Sequence, residues 1–403
     1  MKIQLRDYQE EAVRKIIWAA SPEISGNSLA ILPTGAGKSI VISEIASRLQ
    51  KDILIIQPNG EILSQNYAKL CNYVSPNEIG IYSASMNEKI IRKYTFATIK
   101  SIYQKPEFFK HFSLIILDEC HLLDPKNVDG MFSSFLRGIG SPKVIGLTAT
   151  PFRLVTSSRP SPKNPKWWES YTVIKLINRM QGLFWTRLVF NLSISDLISE
   201  GHLVPLDYLT PQLVPSWRLK PNKSRSDYDL IAFENALKEH ENKILEYLDY
   251  GIKNYNSTLF FASSVEQSNY FASKFPQARS IHAKTPTKER AGIITGFKNG
   301  SIKCVTNVGV LTTGFDHPAL DYIVMARPTQ SIGLYIQMLG RGVRPSPGKT
   351  NCKVVDLCGN VERMGKIESI TIKKNEDNKW DLWTEKGYWH NRELYSHVVK
   401  PGK

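Results

Sequence analysis

The sequence is poor in cysteine and short of acid. Its five Cys, at 71, 120, 304, 352 and 358, are scattered and odd in number, with no CxxC pair. That spacing excludes a disulfide framework and a cysteine zinc site, and it predicts reduced, mostly buried thiols and a cytoplasmic address. The eight His show no HExxH or other paired ligand spacing, so no metal is expected beyond one carried by a nucleotide. No apolar run approaches the ~18 residues of a membrane span. The opening MKIQLRDYQEE carries no apolar stretch of a signal peptide, so no membrane partner is expected. Asp+Glu number 37 against 52 Lys+Arg, a formal net charge of +15. This shortage of acid argues against an acidic partner surface and points to nucleic acid or another anionic surface.

The remaining composition is globular, with 42% hydrophobic and 22% charged residues over 403 positions. At roughly 150 residues per domain, that length predicts two or three domains. Continuous apolar, β-branched runs at 28–32, 53–56, 114–117 and 144–147 suit parallel strands covered on both faces. The pattern returns at 258–261, 304–306, 322–325 and 352–356. The fold class expected is α/β: two tandem, doubly wound parallel-sheet domains. The first spans 1–210, with an irregular basic insertion at about 154–190. A Pro-rich linker covers 211–227, the second domain covers 228–360, and a small β-rich appendage covers 361–403.

The segment Leu32-Pro33-Thr34-Gly35-Ala36-Gly37-Lys38-Ser39 follows a strand and opens a helix. Gly35 and Gly37 let backbone N–H groups turn around an anion. Lys38 supplies a cation for the β/γ-phosphates of ATP, and Ser39 offers a hydroxyl to Mg²⁺. The first position is Leu32 and not the usual Gly. Asp118-Glu119-Cys120-His121 lies directly after the run 114–117, where a parallel strand presents carboxylates to a ligand crevice. Asp118 is then a Mg²⁺ ligand with Ser39, and Glu119 the base for an attacking water.

The phosphate loop with DECH resembles a superfamily 2 helicase or translocase. The same order of motifs continues through Arg6 and Gln9 in LRDYQ, Asn59 to Gln65, Thr98 and Lys100 in ATIKS, and Thr148-Ala149-Thr150-Pro151. It resumes in FASS with Ser263, in TNV through TTGFD, and in QMLGRGVR. The wording of several motifs is similar to the RadD group of bacterial DNA-repair helicases, here as a compact, phage-borne form without a Cys-rich zinc module. The resemblance implies two RecA-like lobes, ATP and Mg²⁺ as cofactors, and DNA as partner. It also implies a repair or recombination setting with single-strand-binding or recombination proteins.

By the same resemblance, Arg6, Gln9, Gly314 and Asp316 join the phosphate loop in holding the nucleotide. Gln337, Arg341 and Arg344, spaced to share one helix face, act on the γ-phosphate, with Arg344 the arginine finger. His121, Thr148 and Thr150 couple the nucleotide state to movement. Asn59, Gln65, Thr98, Lys100, Ser263, Thr306 and Thr312 track the strand.

One region is particular to this chain. From 151 to 190 there are seven Lys/Arg against one acid, Glu169, with Trp167 and Trp168 among them. These tryptophans either stack on an exposed base or simply cover the core. The readings left open beside a DNA helicase are an RNA helicase and the motor or clamp subunit of a larger complex.

Overall fold

The structure is a computed structural model. It describes residues 4–124, 127, 129–162, 164–179, 184–222, 227–311, 315–388 and 393–399. The chain divides into two units, Met1–Phe152 with Leu176–Leu192, and Arg153–Lys175 with Ser193–Lys403.

The first unit is built on an eight-stranded sheet. Its strands are β1 (Asn27–Ile31), β2 (Ile53–Gln57), β3 (Ile79–Ser83), β4 (Glu88–Lys89), β5 (Tyr94–Thr98), β6 (Leu114–Asp118) and β7 (Lys143–Thr148). The chain then leaves through β8 (Phe152–Ser161) and β9 (Asn164–Leu176) and returns as β10 (Trp185–Asn191). The order is β10-β1-β7-β6-β2-β5-β3-β4. All neighbours are parallel except the short β4.

Every residue of β2, β5 and β6 is buried, as the apolar runs of β2 and β6 require when helices cover both faces. Each buried Ile or Leu there contributes about 1.5–3 kcal/mol. Helix α1 (Asp7–Ala19) buries Tyr8, Ala12, Val13, Ile16 and Ala19 at helical spacing. Gly146 on β7 admits the buried Trp185 ring: a Cβ there would stand 2.4 Å from it and 2.8 Å from the Cys120 sulfur.

The second unit holds a six-stranded, all-parallel sheet. It comprises β11 (Leu206–Leu209), β12 (Thr258–Phe261), β13 (Ala278–Ile281), β14 (Cys304–Asn307), β15 (Tyr322–Met325) and β16 (Cys352–Asp356), ordered β11-β16-β15-β12-β14-β13. Two antiparallel sheets follow: β17 (Thr371–Lys374) with β18 (Trp380–Thr384) and β19 (Gly387–Tyr388), and β20 (Glu393–Val399) on β9 beside β8.

Three organisational expectations change. Residues 206–209 belong to the second sheet, on the edge against β16, so the passage between units precedes them. Their alternating burial, Leu206 in and Asp207 out, hides a strand this short. The described part of 211–227 is then a strap held to the second unit, not a free linker. Gln212 N–H donates to the Asp356 carbonyl (3.4 Å), Asp229 N–H to Lys220 (2.7 Å), and Thr329 Oγ1 to Asp227 (2.9 Å).

The stretch 154–168 is a β-ribbon, not an irregular loop. Pro160 masks it in the sequence, but β8 is the edge strand of its sheet, where a missing N–H is tolerated. The ribbon and the appendage, read apart in sequence, share a sheet through the β9–β20 pairing. No helix among the described residues is long and apolar enough to cross a membrane.

Candidate functional site

The phosphate loop runs from the end of β1 to helix α2 (Lys38–Leu49). Gly35 and Gly37 adopt φ of +90° and +80°, the left-handed region that glycine alone enters freely. The loop is held from α1. Tyr8 OH and Gln9 Nε2 donate to the Ala36 carbonyl at 3.2 and 3.0 Å, while the Arg6 N–H donates to Gln9 Oε1 at 3.1 Å. A Cβ on Gly37 would stand 2.5 Å from Gln9 Nε2. Gln9 is therefore buried and engaged at both ends of its amide, fixing the loop from behind. Pro33 and Thr34 enter the turn, with Ala36 N–H donating to the Pro33 carbonyl at 3.1 Å.

The carboxylates lie at the end of β6. Lys38 Nζ reaches both: it bonds Glu119 Oε1 and stands 3.5 Å from Asp118 Oδ1. Burial works to lower the Lys38 pKa, but the charges of Glu119 and Asp118 outweigh it, so the ammonium is held above its ordinary value. Asp118 is raised by burial, opposed by Lys38 and reinforced by Glu119. Its Oδ1 accepts the Glu119 N–H at 2.9 Å and its Oδ2 accepts Asn66 Nδ2 at 3.2 Å.

Glu119 has φ of +50°, a strained conformation for a residue with a side chain. Thr148 Oγ1 lies 3.5 Å from its Oε2, and His121 Nδ1 lies 3.4 Å from the same oxygen. His121 Nδ1 also meets Thr148 Oγ1 at 2.9 Å and Thr150 Oγ1 at 3.3 Å. The structure thus joins Lys38, Asp118, Glu119, His121, Thr148 and Thr150 in one network, with Ser39 beginning α2 beside Lys38.

Asn66 escaped sequence reading. It sits on helix α3 (Gly60–Leu70), buried on the stripe with Leu63 and Leu70. A lone amide in an apolar stripe was the available signal.

In the second unit, Arg341 and Arg344 both donate through Nη1 to the Phe315 carbonyl, and Arg344 pairs with Asp316. Burial lowers the Arg344 pKa and Asp316 opposes this. The expected shared helix face is not found. The helix Ile332–Leu339 carries Gln337 but stops before Gly340, so Arg341 lies in the turn beyond it and Arg344 in the irregular segment after that turn. Two glycines within three residues, 340 and 342, favour that early stop. Gly314 and Thr312 lie outside the described residues.

The family model "Type III restriction enzyme, res subunit" matches residues 2–153, and "Helicase conserved C-terminal domain" matches 239–346. By both matches the chain is similar to the superfamily 2 helicases. Among the curated relatives of this chain is the 51.5 kDa protein of Lactococcus phage (isolate 7-9), 26% identical over 79% of this chain and 63% of that one. The DNA 3'-5' translocase XPB2 of Sulfurisphaera tokodaii is 34% identical over 38% of this chain and 32% of that one. A solved structure, the ATP-dependent Type ISP restriction-modification enzyme LlaBIII bound to DNA, matches 88% of this chain and 28% of its own. Its TM-score is 0.63 at 17% identity, a likeness of fold. The chain spans less than two thirds of the length of each.

The strand-tracking candidates divide by availability. Asn59 caps α3, accepting the Ile62 N–H at 2.9 Å. Thr98 bonds Ser101 Oγ at 2.9 Å, Ser263 donates to the Ala326 carbonyl at 2.6 Å, and Thr306 to the Ser268 carbonyl at 2.8 Å. These four side chains are engaged internally. Lys100 and Gln65 are exposed. On the ribbon, Trp168 is 53% exposed and Trp167 half-buried, so the first is not core cover. Arg159 of β8 reaches β9, 3.0 Å from Glu169 and 4.7 Å from the centre of the Tyr171 ring.

Proposed function

We propose that this chain is an ATP-driven DNA translocase or helicase, hydrolysing ATP to ADP and phosphate to move along or unwind single-stranded or branched DNA. The observation that carries the reading is the triplet at the mouth of the phosphate loop, in which a buried Asp118 and a partly exposed Glu119 share Lys38. A cation that already pairs with two carboxylates is set to exchange them for phosphate oxygens.

As ATP enters, Lys38 moves from Glu119 to the β/γ-phosphates, and Glu119 is freed to act as base. It takes a proton from the attacking water while the water oxygen bonds the γ-phosphorus and the bond to the β-phosphate oxygen breaks. Asp118 and the Ser39 hydroxyl are oxygen donors of the kind Mg²⁺ takes, and Mg²⁺ would neutralise phosphate charge there. Arg341 and Arg344, with Gln337, are the second unit's candidates for stabilising the γ-phosphate; an arginine finger is worth ~10³–10⁵ in rate. Arg344 would first have to leave Asp316. Arg6 and Gln9 brace the loop, and Gly314 and Asp316 complete nucleotide binding. His121, Thr148 and Thr150, all meeting Glu119 or each other, would report the nucleotide state to the strand-binding face.

The net charge of +15 and the match to a model shared with restriction motors support DNA as the track. The RadD-like wording of the motifs supports a repair or recombination setting. The test measures ATPase and strand separation together on single strands, forks, Holliday junctions, D-loops and RNA duplexes. Stimulation by DNA forms is expected; stimulation by RNA alone would make this an RNA motor.

A further inference from the structure

Strands β15, β12 and β14 lie side by side and parallel, so the segments leaving their C-terminal ends share one edge of the second sheet. Those segments are 326–331, 262–264 and 308–309. An open parallel sheet takes its ligands along this edge.

The chain at 327–330 is firmly anchored. The Arg327 carbonyl accepts Asn360 Nδ2 at 3.0 Å, and the Thr329 N–H donates to Asn360 Oδ1 at 3.1 Å. The Gln330 N–H donates to Asp227 Oδ1 at 2.7 Å. The Arg327 side chain, by contrast, is unspent. Its Nε is buried without a hydrogen-bond partner, and no side-chain hydrogen bond or ion pair of its guanidinium is seen among the described residues.

The side chain reaches across the edge. Its Nη1 lies 4.0 Å from where a Cβ on Gly309 would stand, so it extends from the end of β15 toward the turn after β14, with β12 between them. Two more polar atoms at this edge are buried without partners, Gln330 Oε1 and Oδ1 of Asn307, the last residue of β14. Burial pulls the Arg327 pKa below its ordinary value, with Asp227 opposing. Asp227 itself is engaged by Thr329 and Gln330. The hydroxyls at the same edge, Ser263 and Thr306, donate to backbone carbonyls instead.

We infer that Arg327 is a phosphodiester-binding residue of the second unit, gripping one backbone phosphate of the nucleic-acid strand. This rests on the translocase reading above. A planar fork of N–H donors matches two phosphate oxygens, and a phosphate would satisfy a guanidinium that the protein leaves unpaired. Because a phosphate carries no sequence information, the contact suits a grip that must be made and released along a strand.

The test measures the affinity of the full chain for a single-stranded thymidine oligonucleotide by fluorescence anisotropy across a salt series. Arg327→Gln should weaken binding about fivefold to tenfold and lower the slope of log affinity against log salt by roughly 0.7, one phosphate's share on a single strand. Arg327→Lys keeps the charge and loses the fork, so it should keep the wild-type slope and bind about twofold to threefold more weakly. It serves as the deciding variant if Arg327→Gln does not fold.

Wild-type affinity and slope in both variants would overturn the assignment. So would weakened binding of a fluorescent ATP analogue with DNA affinity unchanged. A wild-type chain that binds no DNA would overturn the translocase reading and this assignment with it.

Discussion

With Lys38 shortened to Ala, Asp118 and Glu119 would share a buried site with no cation between them, and the phosphate loop would lose its only charged side chain. Lys38→Ala should abolish ATP hydrolysis and weaken ATP binding by at least about tenfold, since an ammonium–phosphate contact is charge-assisted. Glu119→Gln keeps the shape and removes the base. It should cut hydrolysis by about 10²-fold or more yet still bind ATP in calorimetry. Loss of ATP binding in Glu119→Gln with retention in Lys38→Ala would reverse the roles given to the two.

His317 gives a second prediction at this scale. Burial, with the charges of Lys298 and Lys349, lowers its imidazole to about 4 from an ordinary 6.5, and its Nε2 lies 2.7 Å from Ser257 Oγ. Between those two values the unfolded chain binds a proton that the folded chain does not. Stability should therefore fall as pH drops from 6.5 to about 4. Urea midpoints at pH 7.5 and 5 should converge in His317→Asn more than in wild type. An equal acid loss in both would remove His317 as a cause.

Among the elements, eight parallel strands were legible because both their faces are covered, which writes them as unbroken apolar runs. Strands β3, β5, β10, β11 and β13 were not, since Gly, Ser, Thr, Arg or Asp interrupts each of them. The phosphate loop and DECH were legible because their chemistry needs fixed residues at fixed strand ends. The ribbon 152–176 was not legible: an edge strand tolerates Pro160, and its half-buried residues include Arg153 and Arg159. Asn66 was hidden for the opposite reason, being a polar group whose only purpose is a partner distant in sequence.

Two tests belong to this scale. Gly146→Ala would drive a Cβ into the Trp185 ring and should destabilise the first unit by about 1–3 kcal/mol, read from thermal or urea unfolding. A wild-type midpoint would show that the ring can yield. Ending the chain after Tyr388 removes β20 from β9 and leaves β9 paired on one side. Limited proteolysis should then cut within 153–175 much faster than in the full chain. Equal rates would mean that β20 contributes little to the ribbon.

At the scale of the whole molecule, a shortage of acid leaves cations for two kinds of anion. Lys38, Arg341 and Arg344 are proposed for nucleotide phosphates and Arg327 for a strand, with exposed Lys100 a further candidate there. The engaged state of Asn59, Thr98, Ser263 and Thr306 shifts the expected grip from short polar side chains toward cations. DNA affinity should accordingly fall steeply with salt. The most direct test of the motor reading is the rate of ATP hydrolysis by wild type and Glu119→Gln, with and without single-stranded DNA. Wild-type hydrolysis should rise severalfold when DNA is added, while Glu119→Gln stays near zero in both conditions. A wild-type rate indifferent to DNA, or full hydrolysis by Glu119→Gln, would contradict the account.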